Sequence, residues 1–100
     1  MAEIRWTEEA VKWVEHIYAY IAEDNPYAAQ SVIEGIYAKA QVLQTWPHIG
    51  YKYKDHPEGE IRIRLYGHYR IAYLNKDDTI EILGVFHGAM EIEDYLTMQH

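Results

Sequence analysis

The chain reads as an α+β domain, an antiparallel helical hairpin packed on one face of a small, mostly antiparallel sheet. Apolar residues recur at three- and four-residue spacing between Ala10 and Leu43, the mark of amphipathic helices. From Ile61 to Leu74 the period changes to two, the mark of strands. A single Asp24-Asn25-Pro26 break divides the helical half, so its two helices must fold back on each other. At 100 residues there is length for one core, and residues 1–100 are expected to form a single domain.

Each element has a local cause. Residues 3–6 are short enough for a first strand, and Thr7 is an N-cap followed by Glu8 and Glu9, whose carboxylates suit the positive end of a helix dipole. Ala10, Trp13, Val14, Ile17 and Ile21 give the first helix its buried stripe. Asn25 caps a second helix whose first position is Pro26, where the missing N–H costs nothing. Its stripe is Ala29, Val32, Ile33, Ile36, Ala40 and Leu43. Trp46-Pro47-His48-Ile49-Gly50 ends that helix and opens a polar connection running through Gly59. Strands follow over 60–66, 69–75 and 79–87, joined by a tight Gly67-His68 turn and by Asn75-Lys76-Asp77-Asp78. A short C-terminal helix is expected over 91–96.

Charge is unevenly spread. The formal net charge is −7, yet residues 47–76 carry six bases and three acids, while residues 77–100 carry six acids and no base. Arg62, Arg64 and Arg70 lie on neighbouring strands, and the expectation is one exposed cationic patch, flanked by Tyr66 and Tyr73, that meets a partner. Tyr18, Tyr20, Tyr27 and Tyr37 on the helices are further candidate contacts, each weighed against a place at the helix seam. No apolar run approaches the roughly 20 residues of a membrane span. No secretory leader is recognisable, and there is no cysteine for disulfides or thiolate ligation, so a cytoplasmic location is expected. The six histidines have no chelating spacing, so neither a metal nor another cofactor is expected.

The order strand, two long helices, three strands resembles the RelE/ParE superfamily of toxins from type II toxin–antitoxin pairs. Asn25-Pro26 with Ala28-Ala29 is similar to that family's helix junction, and Leu43, Pro47 and Gly50 to its leucine-x(3)-proline-x(2)-glycine helix ending. Arg62, Tyr69-Arg70-Ile71 and Tyr73 resemble its central strands. Val85-Phe86-His87-Gly88 and Asp94-Tyr95-Leu96 resemble its closing strand and tail. The likeness spans about residues 3–96.

The resemblance implies a toxin neutralised by a cognate antitoxin whose C-terminal segment folds as it binds, with Arg62, Arg64, Tyr66, Arg70 and Tyr73 as target- or antitoxin-binding residues. The ParE branch is favoured, which implies a plasmid-stabilising, non-enzymatic inhibitor of DNA gyrase. The alternative is a ribosome-dependent mRNA endonuclease of the RelE type. There Arg62, Arg64 and Arg70 would stabilise the phosphorane-like transition state and His87 would act as acid or base, with Tyr66 or Tyr95 in support. A non-toxic interaction module is the third reading. Ala89-Met90 follow His87-Gly88 where the family usually has basic residues, which counts against cleavage; an alanine is also what a detoxifying substitution would leave.

Overall fold

A computed structural model describes residues 1–88 of the chain. Strand β1 (Glu3–Trp6) leads into helix α1 (Glu8–Ala22), and helix α2 (Pro26–Gln41) follows after a short break. A single 3-10 turn over Val42–Gln44 prolongs α2, and strands β2 (Tyr51–His56), β3 (Gly59–Tyr66), β4 (Tyr69–Asn75) and β5 (Thr79–His87) complete the described fold. The expected helix over 91–96 lies outside the described residues.

Both helices begin where their caps predict. The Thr7 Oγ1 accepts from the Ala10 N–H at 3.1 Å and donates to the Ile82 carbonyl at 2.8 Å, so one hydroxyl both starts α1 and ties it to β5. Asn25 Oδ1 accepts from the Ala28 N–H at 3.1 Å, with Pro26 in the first turn of α2.

The five strands form one sheet in the order β1-β5-β4-β3-β2. β1 runs parallel to β5, and the other neighbouring pairs are antiparallel. The helices cover the face that carries Ile71, Tyr73, Ile80, Ile82 and Val85, meeting it with Ala10, Val14, Ile36, Ala40 and Leu43. Ile61, Ile63, Ala72, Leu74, Leu83 and Phe86 form a second buried cluster, and Trp13 packs against both. Gly67 takes φ +56, the left-handed geometry that lets a two-residue turn join β3 to β4.

One sequence expectation fails here. The connection read as polar through Gly59 contains β2, an edge strand with a register shift between Lys52 and Lys54. Tyr-Lys-Tyr-Lys-Asp-His carries no aliphatic residue, and an edge strand has little apolar surface to bury, so the hydrophobic signal is absent. Its lysines and bulge are the usual protection of a sheet edge.

Candidate functional site

The arginines do not share one patch. Residues directly opposite each other in an antiparallel pair lie on the same face. Arg62 stands opposite Tyr73 and Arg64 opposite Ile71, on the side covered by the helices. Arg70 stands opposite Leu65 and Phe86, on the other side. The two-residue turn pairs every even-numbered position of β3 with an odd-numbered one of β4, so Arg64 and Arg70 must diverge.

Arg62 is largely buried and tied to the chain. Its guanidinium donates to the carbonyls of His48 and Gly50 and lies 3.6 Å from the Glu60 carboxylate. The acid two positions earlier in its own strand thus supplies the counter-charge. Tyr73, expected to meet a partner, is wholly buried. Its hydroxyl donates to the Pro47 carbonyl at 2.7 Å and accepts from the Gly50 N–H at 3.1 Å. Burial pushes its pKa upward, against smaller opposing effects of the Gly50 hydrogen bond and of Arg62 and Arg64. Arg62 and Tyr73 therefore hold the Pro47–Gly50 segment against the sheet, with the Tyr73 ring closed to solvent and the Arg62 guanidinium mostly so. Tyr66 is half-buried and packs over Gly35 of α2, so only part of it remains on the surface.

Arg64 is placed differently. β2 begins opposite Ile63, so the β3 edge beyond it is unpaired among the described residues. Arg64 shares a shallow groove at that edge with Ile49, Tyr51 and Leu65, all three of which are exposed. One of its terminal nitrogens is buried with no hydrogen-bond partner among the described residues. The groove is of mixed apolar and cationic character.

The far end of the sheet holds the remaining candidates. Arg70 donates to the Gly88 carbonyl at 3.0 Å, and Gly88 N–H donates to the His68 carbonyl at 2.7 Å, closing the end of β5 onto the turn. The His87 ring stacks on His68 with centroids 6.2 Å apart and meets Tyr69 edge-on at 5.8 Å. Burial raises the Tyr69 pKa, with a smaller contribution from Tyr20. Sequence reasoning brings Arg70 and His87 here but treats His68 as a turn residue only. The signal that could have found it is register, because the turn places His68 beside the end of β5. Among the described residues no group of three or more His, Asp or Glu is arranged to hold a metal ion.

Of the expected site residues, then, Arg70 and His87 line one recess at the end of the sheet although register sends them to opposite faces, Arg64 stands apart at the β3 edge, and Arg62 and Tyr73 hold the loop after α2.

Comparison with known proteins places this geometry. The chain resembles a solved structure described as the chromosomal ParDE TA system from P. aeruginosa, with a TM-score of 0.70 and 20% identity over 87% of this chain and 96% of that one. At that identity the likeness speaks for the fold. A search of curated proteins matched none. The model of the family described as the ParE toxin of the type II toxin–antitoxin system parDE matches residues 4–92, nearly the whole chain. The chain belongs to the ParE toxin family of type II toxin–antitoxin systems.

Proposed function

We propose that this protein arrests growth by binding DNA gyrase, that it acts in the cytoplasm as the toxin of a plasmid-stabilising pair, and that a cognate antitoxin neutralises it. The observation that carries the reading is the ParE family match over residues 4–92. The separation of the arginines supports binding over cutting. A cleavage centre needs its cations and acid–base groups around one phosphate, whereas Arg62 and Arg64 face the helix side and Arg70 the other. An inhibitor needs only a complementary surface.

For the antitoxin, the Arg64 groove is the favoured docking point. An extended acidic segment would add to the unpaired β3 edge, place apolar side chains on Ile49, Tyr51 and Leu65, and set a carboxylate against Arg64.

The RelE-type endonuclease is kept as a second reading because Arg70 and His87 line one recess. A supercoiling assay with purified gyrase, run beside translation-coupled mRNA cleavage, separates the two. Gyrase inhibition with intact mRNA is expected. Cleaved mRNA with normal supercoiling would overturn the proposal in favour of the nuclease, and inactivity in both assays would overturn it in favour of a non-toxic interaction module.

A further inference from the structure

Two hollows of unlike chemistry meet at His87. One is a groove of about 690 Å³ between α1 and the ends of β4 and β5, walled by the rings of Trp13, Tyr20 and Tyr69. Its exposed lining is mostly apolar, and Tyr20 is 79% exposed at its rim. The other is a recess beside the Gly67-His68 turn, lined by His68, Arg70 and Gly88. His87 lines both.

We propose that these hollows together form a binding site for a nucleotide unit of single-stranded nucleic acid, with the phosphate in the recess and the base in the aromatic groove. The Arg70 guanidinium is oriented by the Gly88 carbonyl and supplies a fixed positive charge of the kind that recognises phosphate. His68 and His87, whose rings stack on each other and line the same recess, offer imidazole donors. An anion alone would need no aromatic wall, and an apolar ligand alone would need no arginine. A phosphate with a flat heterocycle attached uses both, which is how proteins grip single strands without reading their sequence. The groove lies within the size range of small-ligand sites, large enough for one base and its sugar. Binding here involves no bond breaking and does not depend on gyrase, so it stands or falls separately from the proposed target.

The test uses the full chain and three probes: inorganic phosphate, a short oligothymidylate, and the same backbone without bases. Phosphate and both strands should shift the imidazole resonances of His68 and His87, while only the base-bearing strand should shift the Trp13 indole. His68→Asn, on an exposed turn, should weaken all three probes. Tyr20→Ala should weaken the oligothymidylate about 5- to 100-fold, the range expected for losing one base–aromatic stack, and leave phosphate binding unchanged. The proposal is overturned if oligothymidylate binds no tighter than the abasic strand, if Tyr20→Ala has no effect on it, or if none of the probes moves His68 and His87.

Discussion

The hydroxyl end of Tyr66 fills the space that a side chain at Gly35 would occupy. This contact sets how closely α2 approaches β3, and it explains a glycine inside a helix where alanine would be intrinsically better by about 1 kcal/mol. Gly35→Ala should therefore destabilise the protein by about 1–2 kcal/mol despite its better helix propensity, because the added methyl displaces a packed ring. In a Tyr66→Ala background the same change should become neutral or stabilising. Urea midpoints for the four proteins of this cycle give the coupling directly, and additive effects would mean that the ring is not wedged.

The Tyr73 hydroxyl is the clasp of the loop after α2. Tyr73→Phe removes the partner of both the Pro47 carbonyl and the Gly50 N–H. The expected loss is about 1–3 kcal/mol, mostly the cost of leaving buried polar groups unpaired. Hydrogen exchange should show faster opening at Gly50 while the α1 amides keep their protection. Unchanged exchange at Gly50 would argue against the clasp.

Arg62 and Arg64 are two residues apart on one face, yet their substitution should have different consequences. Arg62→Ala should lower the urea midpoint by the equivalent of about 1–3 kcal/mol, since it strips charged hydrogen bonds from two loop carbonyls. Arg64→Glu should leave stability nearly unchanged and weaken antitoxin binding at least about tenfold, as reversing a contact charge typically does. Calorimetric titration with the antitoxin's C-terminal segment tests this. Equal affinity for wild type and Arg64→Glu would remove the β3 edge from the interface.

Alkaline pH should act on two shielded phenols, one buried and one half-buried. Tyr73 and Tyr69 have pKa values raised above 10.0, in both cases chiefly because burial disfavours the phenolate. A raised acid pKa means that the unfolded chain loses its proton first, so stability present below about pH 10 declines as pH rises beyond it. Absorbance titration at the phenolate band should show these two ionising above the usual tyrosine value of about 10, and urea midpoints should fall as pH rises beyond it. Tyr73→Phe should flatten part of that fall.

Much of this architecture is legible in the residues themselves. Thr7 and Asn25 mark the helix starts because a side-chain oxygen there satisfies backbone donors locally. The apolar stripes of α1 and α2 and the alternation of β3 and β4 follow from the repeat of each backbone, so their faces could be assigned without coordinates. β2 was not legible, since an edge strand can bury little and need show no apolar rhythm.

The functional groups divide along the same line. The identities of Arg62, Arg64 and Arg70 are evident as a concentration of charge in an acidic chain, and that of His87 from the likeness of the closing strand. Which of them stand together was not. That depends on one residue of register across the Gly67-His68 turn, which sends Arg64 and Arg70 to opposite faces. It depends also on a loop distant in sequence, whose carbonyls claim Arg62 and whose anchor is Tyr73. Local pattern sets which way a side chain points relative to its own backbone; what it meets there is decided by segments that only folding brings near.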